Sequence, residues 1–446
     1  MDTAMINNWN FLKKNRFLAA LFLLMPLGLF GAEGDVPTVD KADTAWILTA
    51  SALVLFMSLP GLAFFYGGLV HKRNVLSVLM QCFAIASLMS VIWAVFGYSL
   101  AFSAAPEGLN SFIGGFDLAL MGGRMVDDVS GTIPLFLHFG FQMTFFVITP
   151  ALMVGAFVER MKFSSVLIFC GIWAVLVYLP VCHMVWAEGG FFYEMGVIDL
   201  AGGIVVHITA GVGALIACIM VGPRTGYPKT PFMPHNLPMT VAGTGMLWVG
   251  WYGFNGGSFL AADGNGALAI VVTHISASVA SLVWSFIEYR IHGKSSVLGF
   301  VTGAIAGLAA ITPASGEVGP LGAIIIGAVS GSVCFYASTS LKKMLKYDDS
   351  LDVFGVHGVG GIVGTFLVAF LASEKFGGKQ IAGDFNMVAQ LGKQSLAIIA
   401  VGAYTAVLTF IILKITGIFT SGLRVSEQDE NAGLDVTAHG ENAYND

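Results

Sequence analysis

Residues 198–221 read IDLAGGIVVHITAGVGALIACIMV, from Ile198 to Val221, and residues 352–371 read DVFGVHGVGGIVGTFLVAFL, from Asp352 to Leu371. At about 1.5 Å rise per residue, each run is long enough as a helix to cross the roughly 30 Å hydrocarbon core of a bilayer. Each has an aspartate at or beside its start, Asp199 or Asp352, and sets one histidine, His207 or His357, among glycines and β-branched residues. An ionisable side chain inside such a run is expensive to bury, so it points to function by default. Counted along a helix from Ile198, His207 is expected about 14 Å inside its span, near the midplane.

The whole chain has the same character. Of 446 residues, 56% are hydrophobic and 11% charged, and the mean hydropathy is +0.81, which does not describe a soluble surface. This excludes a cytosolic enzyme and a disordered chain, and a net charge of -6 lacks the basic excess that nucleic-acid binding needs. The expected partners are the lipid bilayer and small solutes. Cys82, Cys170, Cys182, Cys218 and Cys334 form no CxxC or His/Cys cluster and read as small core hydrophobes. Glycine, at 56 residues, suits helices that approach one another closely.

The N-terminus has Lys13, Lys14 and Arg16, an apolar run from Phe17 to Phe30, then Gly31, Ala32 and Gly34. That order fits a cleaved signal peptide over 1–32; an uncleaved first helix is the competing reading. Eleven further segments are apolar enough to cross a bilayer: Trp46–Tyr66, Val75–Phe102, Leu135–Phe157, Ser165–Trp186, Ile198–Val221, Met239–Phe254, Ala267–Ile287, Val297–Ile311, Leu321–Tyr336, Val353–Leu371 and Ala397–Phe419. With the mature N-terminus outside, twelve basic side chains fall in inner loops and the tail, among them Arg73, Arg160, Arg224, Arg290, Lys342 and Arg424. The outer loops hold four, Arg124, Lys375, Lys379 and Lys393. The excess of positive charge on one side predicts a cytoplasmic C-terminus and supports the count, since a miscounted span would destroy it.

The expected fold is therefore an all-α polytopic membrane protein of eleven transmembrane helices, with a membrane domain over 33–420 and a polar, acidic tail over 421–446. The tail reads either as a docking segment or as a solvated end. Residues 45–222 and 237–371 would each hold five spans, with the span 397–419 added. The two histidine stretches close their halves in opposite directions, as in an inverted five-plus-five repeat with its site at the midplane between the halves. His207 and His357 would then meet.

A lone buried histidine commonly just donates to a carbonyl, but the pairing favours a functional reading. Two imidazoles, each donor and acceptor, could line a polar file for a small hydrogen-bonding solute. Zinc is the other functional option, though no third ligand stands at suitable spacing. Asp199 and Asp352 can cap helix N-termini, attract a cation, or both. Phe141, Phe145, Phe146, Trp186, Trp248, Trp251, Tyr252 and Phe254 form an aromatic group. Rings gathered at one mouth would bind a desolvating cation through their faces.

Several motifs then occur in order: Phe65-Tyr66-Gly-Gly-Leu with Arg73-Asn-Val-Leu-Ser, Phe141-Gln142 with Phe145, Gly155-Ala-Phe-Val-Glu-Arg, and His183-Met-Val-Trp186. Asp199-Leu-Ala-Gly-Gly-Ile-Val-Val-His207, Pro234-His-Asn-Leu-Pro, Trp251-Tyr-Gly-Phe254-Asn-Gly-Gly-Ser258 and Asp352-Val-Phe-Gly-Val-His357 follow, and the tail adds Gly433-Leu-Asp and His439-Gly-Glu-Asn-Ala-Tyr. On these the sequence resembles the ammonium transporter family (Amt/Mep/Rh), in its bacterial Amt branch, over essentially the whole mature chain. The resemblance implies a homotrimer in the inner (plasma) membrane with one pore per subunit, carrying ammonium or ammonia and the analogue methylammonium. It implies transport rather than catalysis, with no cofactor and no metal.

It further implies that Trp186, Phe145 and Ser258 recruit ammonium, with Asp199 stabilising the site. Phe145 and Phe254 would be stacked gating rings, His207 and His357 the pore histidines, and Gln142 and Trp251 supporting residues. A cytoplasmic PII signalling protein is the implied partner. An ammonium sensor using the same pocket is the competing function. Two departures stand out: Leu200 replaces a common aromatic, and Ala187-Glu188 follows Trp186 where glycines are usual. Glu188 is expected to add negative field at the mouth.

Overall fold

The computed structural model describes residues 38–379 and 385–444; the expected signal peptide, 1–32, lies outside them. The helices are α1 Lys41–Leu69, α2 Lys72–Phe102, α3 Leu135–Phe157, α4 Phe163–Met195, α5 Gly203–Val221 and α6 Leu237–Gly257. They continue with α7 Gly264–His292, α8 Val297–Ile311, α9 Pro320–Leu345, α10 Phe354–Leu371 and α11 Met387–Phe419. Two short tail helices follow, α12 Glu427–Ala432 and α13 Leu434–His439. α4 is broken after Trp186, and a two-stranded hairpin, Val129–Ser130 with Ile133–Pro134, lies in the α2–α3 loop. Among the described residues nine helices are long and apolar enough to cross a membrane; α8 is apolar but 15 residues long, and α6 is long enough but less apolar.

Local chemistry sets the helix starts. Asp40 accepts from the N–H groups of Ala42 and Asp43, Asp263 from those of Asn265 and Gly266, Ser296 from Gly299 and Asn386 from Ala389. Each satisfies donors that the first turn leaves without an intrahelical partner. Pro60 sits inside α1, where a π-helical turn, Met57–Leu62, absorbs its missing N–H.

Polarity runs opposite to that of a soluble bundle. On α11, Val388, Ile399 and Ile418 are 81%, 68% and 78% exposed, while Gln394, Thr405 and Thr409 are fully buried. Such a continuous exposed apolar surface requires a lipid environment, so the chain is a multi-pass membrane protein. Helix contacts within it depend on small residues. A Cβ on Gly243 of α6 would overlap the Phe65 backbone of α1, and one on Gly211 of α5 would overlap the backbone of Gly358 in α10.

The loops at the tail end of the bundle are knotted by buried charge. Arg224 makes a two-pronged contact to Asp348, Nε to Oδ2 at 2.9 Å and Nη2 to Oδ1 at 2.8 Å, and reaches Glu159 Oε2 at 3.0 Å. Glu159 also accepts from the His71 backbone N–H and Asn74 Nδ2, both at 2.9 Å. Arg160, fully buried, donates to the carbonyls of Gly222 and Asp348 at 2.7 and 2.6 Å. The tail joins this knot through two buried carboxylates, while most of its other side chains stay exposed. Glu430 accepts from the Thr225 N–H at 2.7 Å, and Asp435 from the Leu76 and Ser77 N–H groups at 3.1 and 2.8 Å.

Burial alone would raise the Glu159 carboxyl, but the His71 hydrogen bonds and the Arg224 charge outweigh it and hold it well below the usual range. A carboxyl lowered on folding contributes stability that is present above its unfolded pKa and lost as pH falls through the folded one. Arg224→Met should therefore destabilise the detergent-solubilised protein by about 3–5 kcal/mol, the cost of stranding a buried charge, read as a lower thermal midpoint at neutral pH. The deficit should shrink as acid protonates Glu159 and Asp348; a deficit independent of pH would contradict the assignment.

Candidate functional site

The backbone before His207 departs from expectation. Residues 198–202 are not helical, and α5 starts at Gly203 with a π-helical turn, Gly203–Ile208, that carries His207. Four N–H groups at this start find one carboxylate. Asp199 Oδ1 accepts from Gly202 and Gly203 at 3.2 and 2.5 Å, and Oδ2 from Ile204 and Val205 at 2.9 and 3.1 Å. Gln394 of α11 fixes the preceding residue, accepting from the Ile198 N–H at 2.9 Å and donating to its carbonyl at 2.8 Å.

His357 also lies on a π-helical turn, Phe354–Gly358. The aspartate serving this turn is Asp349, not Asp352. Asp349 is fully buried and its Oδ2 accepts from the Phe354 N–H at 2.8 Å, whereas Asp352 is 30% exposed and pairs with Lys342 Nζ at 2.5 Å. Burial, then the nearby Asp352 charge, push the Asp349 carboxyl up to about 7. Asp349 precedes His357 by eight residues, as Asp199 precedes His207. That equal spacing was the available signal. Reading from the aspartate nearest the apolar run missed it, because Asp352 is closer to the span.

At the end opposite the tail, a cavity of about 370 Å³ is lined by Gln142, Phe145, Trp186, Glu188 and Ser258, with Tyr98 and His138 among the other walls. Trp186 Nε1 donates to the Asp199 carbonyl at 2.8 Å, which fixes the indole. Phe145 meets it edge-on, centroids 5.7 Å apart at 87°. Ser258 donates its hydroxyl proton to the Phe254 carbonyl at 2.8 Å, so its oxygen keeps lone pairs for another donor. Gln142 Oε1 is buried without a hydrogen-bond partner among the described residues. Asp199 itself does not line this cavity; its carboxylate is spent on the backbone.

Phe145 then stacks on Phe254 at 4.3 Å, tilted 34°, and both rings are almost fully buried. Beyond them lies a slot of about 10 Å³, scarcely one water, lined by Phe254, Trp251, His207, His357 and aliphatic side chains including Ile148 and Leu152. Trp251 stacks on His207 at 5.4 Å and is anchored by Nε1 donating to Thr312 Oγ1 at 2.8 Å. The imidazoles of His207 and His357 stack at 5.3 Å and 22°, with their Nδ1 atoms 3.4 Å apart. His357 also lines a second cavity, of about 410 Å³, that opens among Arg224, Tyr227, Glu288 and Lys342.

Gln142, Phe145, Trp186, Ser258, Phe254, Trp251, His207 and His357 fall along one file and Asp199 braces it from behind, whereas Phe141, Phe146, Trp248 and Tyr252 of the aromatic group line none of these spaces. Thr312, Gln394 and Asp349 were missed, because each acts on a residue distant in sequence or through its backbone. His183 lies outside the file, with Nδ1 and Nε2 on the carbonyls of Ala101 and Asn110 at 2.9 and 2.6 Å.

Residues 45–444 match the Ammonium Transporter Family. The "Ammonium transporter" of Bacillus subtilis is 45% identical over 92% of this chain and 100% of its own length. "Ammonium transporter Amt1" of Archaeoglobus fulgidus is 41% identical over 91% and 100%. Among solved structures, a "Sensor Amt Protein" superposes with a TM-score of 0.82 at 30% identity, covering 90% of this chain and 98% of that one. Saccharomyces cerevisiae Mep2 gives 0.78 at 33%, covering 89% and 90%. With its apolar helices and its paired buried histidines between two cavities, the chain belongs to the ammonium transporter family.

Proposed function

We propose that this chain carries ammonium across the membrane by taking the ion into the outer cavity, removing a proton there, and passing ammonia along the histidine slot. The carrying observation is the file itself: two cavities with stacked rings and an apolar slot closed by two imidazoles between them. Ammonium can donate to Ser258 Oγ and Gln142 Oε1 while its charge faces the Trp186 and Phe145 rings. Moving a bare charge through the slot would cost many kcal/mol, whereas neutral ammonia costs far less. An alkali cation has no proton to leave behind, so the same barrier rejects it.

The histidine contact has a chemical consequence. Two Nδ1 atoms facing each other can share only one proton, so one ring donates and the other accepts. In the neutral pair this leaves one Nε2 as lone pair and the other as N–H, a matched acceptor and donor for ammonia in a space that otherwise offers neither. His207 Nε2 has no protein partner among the described residues, which suits it to meet the solute. The proton lost by ammonium either returns to outer water or follows along this pair; the first gives an ammonia channel, the second an electrogenic transporter.

The arrangement in the membrane forms part of this reading: eleven spans in an inverted five-plus-five repeat, N-terminus out and C-terminus in after signal peptide removal, and a homotrimer in the inner membrane. The matching histidine turns, each served by an aspartate eight residues upstream, support the repeat. A docked PII protein would meet the inner cavity beside the tail. A sensor role is a second reading, favoured by the structural likeness to a "Sensor Amt Protein".

Proteoliposomes given an ammonium jump should show a selective inward positive transient current that the His207→Ala, His357→Ala double variant loses. An internal pH rise without current would establish net ammonia conduction, and neither signal in the parent would favour the sensor. A second variant tests the slot without touching its chemistry. A Cβ on Gly361 would lie 2.9 Å from His207 Cβ, so Gly361→Val should cut transport at least tenfold while the protein still inserts; near-parental transport would show that the histidine position is not critical.

A further inference from the structure

We propose that Glu188 is the charged recruiting residue of the outer cavity, setting how dilute an ammonium supply the chain can use; this rests on the transport reading above. Glu188 stands two residues past Trp186, in the turn where α4 is broken, and is exposed while lining the cavity. It is the one acidic or basic side chain in that lining apart from the imidazole of His138. Neighbouring carboxylates have structural work: Asp199 holds the start of α5, Asp263 caps α7, and Glu194 accepts from the Gly189 N–H at 3.1 Å. Among the described residues no hydrogen bond or ion pair engages the Glu188 carboxylate, so its charge faces the cavity uncompensated.

The surroundings strengthen that field. Loop 103–134, which supplies Leu118, Val129 and Ser130 to the wall, carries Glu107, Asp117, Asp127 and Asp128 against Arg124. A recessed mouth with walls of low dielectric concentrates such a field and raises local cation occupancy. The chemistry divides along the depth. Beside Glu188 the negative charge favours ammonium over ammonia, so the solute keeps its proton there. Below, Ser258 and Gln142 offer neutral acceptors and the rings exclude water, so deprotonation belongs to the deeper level. Glu188 thereby serves capture and not proton removal.

The test is the ammonium concentration dependence of transient current and internal pH change in proteoliposomes, compared for parent, Glu188→Gln and Glu188→Asp at low and high ionic strength. Glu188→Gln should raise the half-saturating concentration about fivefold at low salt, the effect of one unit charge about 4 Å away in water. The gap should close near 1 M salt, where the screening length falls to about 3 Å, and Glu188→Asp should stay close to the parent. An unchanged half-saturating concentration at low salt would overturn the proposal. So would a shift equally large at both salt levels, or a lower maximal signal at unchanged half-saturation. A parent giving neither current nor pH change would instead overturn the transport reading, and this inference with it.

Discussion

A helix that begins within a membrane protein's interior leaves four backbone N–H groups with no intrahelical partner and no water to replace it. Here one carboxylate takes all four: Asp199 bonds Gly202, Gly203, Ile204 and Val205. Much of the site's geometry depends on this cap. It fixes the π-helical turn that aims His207, and its own carbonyl holds the Trp186 indole. Gln394 then pins the residue before it to α11. One acidic residue therefore couples the floor of the outer cavity to the imidazole in the slot without touching solute.

The second half of the chain solves the same problem with weaker means. Asp349 bonds the start of α10 through Oδ2, while its Oδ1 lacks a partner among the described residues. The two turns are brought together by glycine. Where Gly211 meets Gly358, any side chain would force the helices apart, and the Nδ1 atoms of His207 and His357 could no longer approach to 3.4 Å. The polar contact at the centre is thus a product of packing between small residues. The aromatic layer above it follows the same logic, since Trp251 is fixed by Thr312 before it can flank His207.

Charge is sorted by depth. Apolar surface faces lipid along α11, and the slot holds imidazole as its polar element. At the tail end Arg224, Glu159 and Asp348 neutralise one another and draw in Glu430 and Asp435 of the tail. The tail is bonded to the first turn of α2 and to the loop after α5. Its acidity has a structural use: Asp435 accepts from the first-turn N–H groups of Leu76 and Ser77 in α2.

The sequence by itself determined the environment, the helices and most of the file. Apolar runs of bilayer length admit only helices, and a histidine within such a run is too costly to be incidental, so His207 and His357 were legible before any coordinates. Phe145, Trp186, Gln142, Trp251, Phe254 and Ser258 followed from motif resemblance. Periodicity could not place the real start of α5 at Gly203, because Ile198, Leu200 and Ala201 in the broken stretch 198–202 continue the apolar run without a break signal. Nor could it choose Asp349 over Asp352, since capping depends on where the backbone N–H groups point. Tertiary structure alone decided that the two Nδ1 atoms meet and that Thr312 and Gln394 position the site. Those are distances between residues tens to hundreds of positions apart, and a linear pattern carries direction and spacing along one element but not the approach of one element to another.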